Sequence, residues 1–440
     1  MSISIADFWK VLEASRLLAP EQVQQLAAEF GHIKGAGEQA SGKTAAEWLV
    51  TRNVLSRYQA TILRAGRPGP FYYGEYKVYD RVEGGRLSGQ FRAIHAPTGH
   101  PVLLRFLTGP VVGDPQRWAA AAYEAQGLAG IVSPHVARIF ETVDLQTFKF
   151  FVTEDLRGEA LEQRLAVGRF QPAEAARIAR LAAIGLAQMH QCGRTYGDVR
   201  PANVLLEPAP NHPGNVKLLL DPTQPPIALD FSQQQAGSRL AQQADYLAPE
   251  LATPGRAPDP LTDVYALGCT LYTMLAGQPP FAGGDIAQKM ARHAAEAIRP
   301  LEMWGVPQPL AQIVAYLMAK NPAVRFQSAA QAAEQLAALV DPAIVYAQPP
   351  LPPATLASFE YYVRQRQSQP AEQAPPPASP PVAPGALAPA AEPHPLDFRS
   401  NRRNLGALVS AAAESPSPAS PAVSVTPAAA VAVKAPPRPA

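Results

Sequence analysis

Cysteine is nearly absent: Cys192 and Cys269 are the only two among 440 residues. They lie far apart and match no metal-ligand spacing, which excludes a disulfide framework and a cysteine-built zinc site. A reduced, cytoplasmic setting is expected. An excess of charge of either sign is missing too. Lys and Arg total 38 against 36 Asp and Glu, a net charge of +2. A dedicated nucleic-acid or acidic-membrane binder needs a dense cationic face, so neither class is expected. No apolar run is long and pure enough to span a bilayer. The N-terminus, MSISIADFWK, carries Asp7 and lacks the charged start and apolar run of a signal segment.

Apolar residues, by contrast, make up 47% of the chain, enough for a large core. Three zones follow from their pattern. The first, residues 1–69, reads as a small helical module. Phe8, Leu12 and the Ser15–Leu18 stretch have helical spacing, and Pro20 opens a second helix over Glu21–Phe30, closed by Gly31. Thr44-Ala-Ala-Glu47 and Ser56-Arg-Tyr-Gln59 are capping-box patterns that start two more helices. The second zone, residues 74–340, has β-type runs at Tyr76–Val82, Gln90–His95, Val102–Leu107, Ile139–Val143 and Phe148–Glu154. Helical patterns then take over at Pro172–His190, Asp263–Leu275, Leu310–Ala319 and Ser328–Leu339. Strands first and helices later predict an α+β arrangement of two lobes, about 74–154 and 157–340. The third zone, 348–440, is dominated by Pro, Ala and Ser. Of 48 prolines, 22 fall in the last 100 residues, so this zone is predicted disordered, with short recognition helices at Leu356–Arg366 and Asn404–Glu414. Arg399, Arg402 and Arg403 form a basic cluster there, read as solvated charge.

One motif invites a nucleotide reading. Gly37-Glu-Gln-Ala-Ser-Gly42-Lys43-Thr44 fits the phosphate-loop pattern in full. That motif must leave a buried strand to open a helix, and Leu26–Ala36 has no strand character. A polar loop capped by Thr44 is the reading taken, with a nucleotide triphosphatase using Lys43 as a remote third function.

Four segments carry a different message. Tyr196-Gly-Asp198-Val-Arg200-Pro-Ala-Asn203, Tyr246-Leu-Ala-Pro-Glu250, Asp263-Val-Tyr-Ala-Leu-Gly268 and Asn321-Pro-Ala-Val-Arg325 occur in order and at the right separations. Together they resemble the serine/threonine protein kinase family from about Tyr76 to Leu339. The resemblance implies a two-lobed protein-kinase-like fold. It makes Asp198 the catalytic base, Asn203 a metal ligand, and Arg200 a cation near the transferred phosphate in place of Lys. It makes Glu250 and Arg325 a buried ion pair, with Asp263 accepting backbone N–H groups of the catalytic loop. His190 takes a core or capping role, and Trp118 and Tyr123 are read as packing residues.

On the nucleotide side the chain departs from the family. Arg105 replaces the phosphate-gripping Lys, with Glu124 as its expected partner, and a planar fork is not a point charge. Leu103 stands where a small Ala lets adenine lie flat, and would fill that space. The glycine positions fall at Glu83, Gly85 and Ser88, with Gln90 where an apolar residue covers adenine. Thr153 and Leu156 complete the nucleotide-binding set. The further metal ligand is Asp221, followed by Pro222, or else Asp230. Gly197 replaces the Arg that binds a phosphorylated activation loop. Two functions remain. One is a pseudokinase without cofactor, acting as a scaffold for other signalling proteins through the helical module or the Pro-rich tail. The other is an active, atypical kinase using ATP and Mg.

Overall fold

The computed structural model describes residues 3–32, 41–209, 212–226, 239–340 and 353–368. All of these fall in one compact unit. Among the described residues the chain opens with α1 (Ile5–Ala14), α2 (Pro20–Gly31), α3 (Gly42–Thr51) and α4 (Arg57–Arg64). Each of α1, α3 and α4 starts on a serine whose hydroxyl accepts a backbone N–H: Ser4, Ser41 and Ser56. The box expected at Thr44–Glu47 sits three residues earlier. Ser41 is the cap, and Thr44 returns the bond to its N–H at 3.0 Å. Phe8, Leu12, Phe30, Leu49, Leu63 and Phe71 form the module's core. Gln59 of α4 donates to the Val78 carbonyl at 2.9 Å, fastening the module to the sheet that follows.

That sheet has six antiparallel strands: β1 (Tyr72–Tyr73), β2 (Tyr76–Arg81), β3 (Phe91–His95), β4 (His100–Phe106), β5 (Ile139–Leu145) and β6 (Phe148–Glu154), in the order β1-β2-β3-β4-β6-β5. Between β4 and β5 runs α5 (Pro115–Ala129), capped by Asp114. Its Trp118 stacks on Phe151 at 6.2 Å, whereas Tyr123, expected to pack, is 75% exposed. The second lobe holds α6 (Leu161–Val167), α7 (Pro172–Gln191), α8 (Pro260–Ala276), α9 (Ile286–Ala295), α10 (Gln308–Leu317) and α11 (Ala329–Ala337). Apolar positions of α7 and α8 line its core, among them Ile178, Leu186, Leu267 and Leu271. A small sheet, β7 (Glu159–Ala160), β8 (Val204–Ala209) and β9 (His212–Leu218), lies against it in sequential order. Among the described residues no helix is long and apolar enough to cross a membrane.

The helix expected at Leu356–Arg366 is present, but it is not a free recognition helix in a disordered zone. Leu356–Ser368 forms helix α12, and this helix is docked on the six-stranded sheet. Phe359 is fully buried between His95, His100 and Phe140, with ring centroids 4.8–5.0 Å away. Val363, one turn on, is also buried. Arg366 donates to Glu75 at 3.0 Å and to Glu141 at 2.6 Å. Burial raises the Glu141 pKa, and the Arg366 charge opposes the rise. The helix therefore brings both the apolar face and the counter-charge that the sheet needs. The expected helix at Asn404–Glu414, the Arg399–Arg403 cluster and the disorder expected beyond 368 lie outside the described residues.

Phe359→Ala is expected to release α12. Loss of a buried Phe costs about 3–5 kcal/mol, more than an amphipathic helix of this length gains from its own hydrogen bonds. Hydrogen exchange should then accelerate at 356–368 while the helical lobe stays protected. Unchanged protection of α12 would show that the contact does not hold it.

Candidate active-site cleft

The loop after α7 is built around one buried carboxylate. Asp263, 1% exposed, accepts the N–H groups of Tyr196 at 2.8 Å and Gly197 at 2.7 Å. His190 Nε2 lies 2.9 Å from the same carboxylate. A buried charge persists because it is met from three sides. Burial also pushes the Tyr196 phenol well above its usual pKa, and its hydroxyl donates to the Leu219 carbonyl at 2.7 Å. Gly197 has φ +72°, and a Cβ there would lie 2.5 Å from the Cβ of Pro226, so a side chain is excluded twice over. On α8's far side, Arg325 and Glu250 form a bidentate pair at 2.6 and 2.8 Å.

This scaffold brings Asp198, Asn203 and Asp221 to one small cavity, with Arg86, Glu124 and Tyr196 among its walls. Each of the three polar side chains is engaged by a protein donor. Arg200 Nε donates to Asp198 Oδ1 at 2.9 Å. Asn203 Nδ2 donates to the Asp198 carbonyl at 3.0 Å, while its Oδ1 accepts Arg86 Nε at 3.2 Å and Nη2 at 3.0 Å. Asp221 Oδ2 accepts Arg105 at 2.8 Å, and Oδ1 accepts the Thr223 amide and hydroxyl at 3.0 and 2.6 Å. Burial raises the Asp221 pKa, but the Arg105 charge and these donors outweigh it, leaving the carboxyl below its usual range. Asp230 lies outside the described residues.

The expected Arg105–Glu124 pair is replaced. Glu124 accepts Arg194 Nη1 with both oxygens, at 3.1 and 3.2 Å, and Arg105 turns to Asp221. Arg194 stands on the catalytic loop's approach and competes for Glu124, which leaves Arg105 nearer the other carboxylate. A divalent cation does not fit these residues as arranged, because Asn203 Oδ1 and Asp221 Oδ2, which it would take, already face guanidinium groups. Among the described residues, no three His, Cys, Asp or Glu side chains are grouped to hold one.

Deeper in the cleft the space beneath the β2–β3 turn is filled with hydrocarbon. Leu87, Leu103, Ala137, Leu156 and Leu205 are 0–7% exposed and pack together, with Val82 and Leu219 against them. The linker between lobes is closed on itself. Leu156 N–H donates to the Glu154 carbonyl at 2.9 Å. Arg92 donates to the Leu156 carbonyl at 3.1 Å and pairs with Asp155. Thr153 hangs from the Leu103 carbonyl by its hydroxyl at 3.5 Å. Gly85, at φ +73°, lies so close to α6 that a Cβ would come 2.7 Å from Gln163 Oε1. The cavity at Asp198, Asn203 and Asp221 is about 40 Å³, against about 300–1,000 Å³ for small-molecule sites. The sequence reading missed Arg86, Leu87, Arg194 and Leu205. Only the basic-apolar step Arg86-Leu87 after two glycines could have signalled the first two.

The Lys43 motif is remote from this chemistry. Among the described residues the element before it is α2, and Gly42 packs on Ile3 and Phe8. Lys43 is 57% exposed and 3.9 Å from Glu47.

The sequence profile described as "Protein kinase domain" matches residues 76–336, more than half of the chain. A serine/threonine-protein kinase PkaB of Streptomyces coelicolor is 30% identical over 287 residues, covering 63% of this chain and 62% of that protein. Serine/threonine-protein kinase PknB of Mycobacterium leprae is 29% identical over 269 residues, 60% of this chain and 42% of that protein. This chain thus spans less than two thirds of the length of either relative. The Mycobacterium tuberculosis PknI kinase domain aligns at 20% identity with a TM-score of 0.47, over 61% of this chain and 98% of that one.

Proposed function

Given that the chain belongs to the protein kinase domain family, we propose that it is a pseudokinase, using the family's fold to bind and scaffold rather than to transfer phosphate. The observation that carries this reading is the leucine cluster. Leu103 and Leu205 pack with Leu87 and Leu156 at 0–7% exposure, and the family resemblance puts the purine against Leu103. Phosphoryl transfer is positioning and charge stabilisation, so a chain that cannot seat the nucleotide has nothing to position. In this reading no cofactor is used. The helical module and the Pro-rich residues from 348 onward present contacts for other signalling proteins in the cytoplasm.

The rival reading is an active serine/threonine kinase with ATP and Mg. It is favoured by Asp198 and Asn203 at the catalytic and metal positions, and by the kinase names of the relatives. One measurement separates the two. A ligand that binds only the folded state at about 100 times its Kd adds about 2.7 kcal/mol, which moves a domain of this size by several degrees. ATP, with or without Mg or Mn, is expected to leave the melting temperature unchanged. A metal-dependent rise lost in Asp198→Ala, with radiolabel transfer to protein, would establish the kinase instead.

A further inference from the structure

Arg86 lies on the turn joining β2 to β3, between a glycine at φ +73° and the buried Leu87. Leu87 packs into the leucine cluster and draws the turn down over the cleft. That places the neighbouring guanidinium against Asn203, on the opposite lobe. Nε and Nη2 both converge on Oδ1, at 3.2 and 3.0 Å. Asn203 cannot offer this oxygen elsewhere. It is 4% exposed, and its Nδ2 is committed to the Asp198 carbonyl. Flipping the amide would aim N–H at a cation and oxygen at a carbonyl, so both neighbours fix the orientation. The oxygen given to Arg86 is the one that a divalent ion would need.

The same substitution recurs around the site. Arg105 comes from β4 and Arg200 from the catalytic loop, and they hold Asp221 and Asp198. A bound divalent ion is normally the largest local charge in such a place. Here that charge is supplied covalently, from three separate segments. Arg86 and Arg105 both reach across from the sheet to the other lobe, and of the three arginines Arg86 is the one from the glycine-loop position.

We propose that Arg86 is a built-in substitute for the divalent cation: it caps Asn203, excludes metal from the cleft and pins the β2–β3 turn shut. This rests on the pseudokinase reading and specifies how its site is kept metal-free. The test is Mn²⁺ titration of the full chain, with free Mn²⁺ followed by electron paramagnetic resonance. Wild type and Asn203→Ala should bind Mn²⁺ equally weakly. Arg86→Met should gain one site per chain, about tenfold tighter or better, and Arg86→Met with Asn203→Ala should lose it. A wild-type Mn²⁺ site that disappears in Asn203→Ala overturns the proposal. So does an Arg86→Met chain that gains nothing. Should Arg86→Met fail to fold, Arg86→Gln takes its place in the same titration, with the same outcomes. An ATP-induced melting shift without metal would remove the filled-slot reading and leave the Arg86 assignment intact. A wild-type Mn²⁺ site with no ATP shift would do the reverse.

Discussion

Glu250→Ala is expected to destabilise the helical lobe by about 3–5 kcal/mol, the cost of breaking a buried pair by removing one partner. The Arg325 side chain is wholly buried, while Glu250 is 16% exposed. Arg325 also donates to the carbonyls of Ala319 at 2.7 Å, Leu261 at 3.1 Å and Lys320 at 3.2 Å, and it lies over the Tyr265 ring at 4.8 Å. Those bonds orient the guanidinium but carry no counter-charge. Alanine would therefore leave a full positive charge in the core with only dipoles around it. Glu250→Gln retains an acceptor and the shape, and should lose less. Denaturant unfolding followed by intrinsic fluorescence gives both values. A loss below about 1 kcal/mol for alanine, the range of surface pairs, would mean that water reaches the pair.

Leu103→Ala is expected to act in two opposing ways. Leu103 is completely buried in the middle of β4, paired across to Arg92 on one side and Thr153 on the other. Truncating such a leucine costs about 2–5 kcal/mol, the higher values belonging to sites that cannot collapse. This one is backed by β-strands and should collapse little. The same truncation restores the small side chain that the family resemblance implies at this position. Adenosine should then raise the melting temperature of Leu103→Ala and leave wild type unmoved. If adenosine stabilised both chains equally, Leu103 would not be what closes the slot.

Much of the fold was legible because its signals are local. Period-two runs placed β2 to β6 within a residue or two, and Phe148–Glu154 was read with its observed ends. The long helices α7 and α8 followed from apolar spacing and flanking prolines. The family resemblance served where a buried charge needs a partner: it implied the roles of Asp263 and of the Glu250–Arg325 pair. Local signals fail where the outcome is a competition between distant groups. Nothing near Glu124 says that Arg194 reaches it before Arg105 does, because that depends on how α5 settles against the other lobe. The descent of Arg86 and Leu87 is likewise a property of a turn's three-dimensional path. The α12 helix was read, as Leu356–Arg366, but its docking was not: Phe359 and Val363 stand one turn apart and Tyr362 and Arg366 repeat that step, yet nothing near them in the chain names the sheet they meet. α9 and the β8–β9 hairpin went unread as well, being short and flanked by polar residues.

α12 follows the helical lobe in the chain yet sits on the sheet, so its last turn, with Arg366, belongs to the small lobe and not to the large one. Any displacement of that last turn therefore acts on Arg366, and through it on Glu75 and Glu141. Mechanical load would reach the strands first, making α12 a lever on the half of the molecule that carries Arg86.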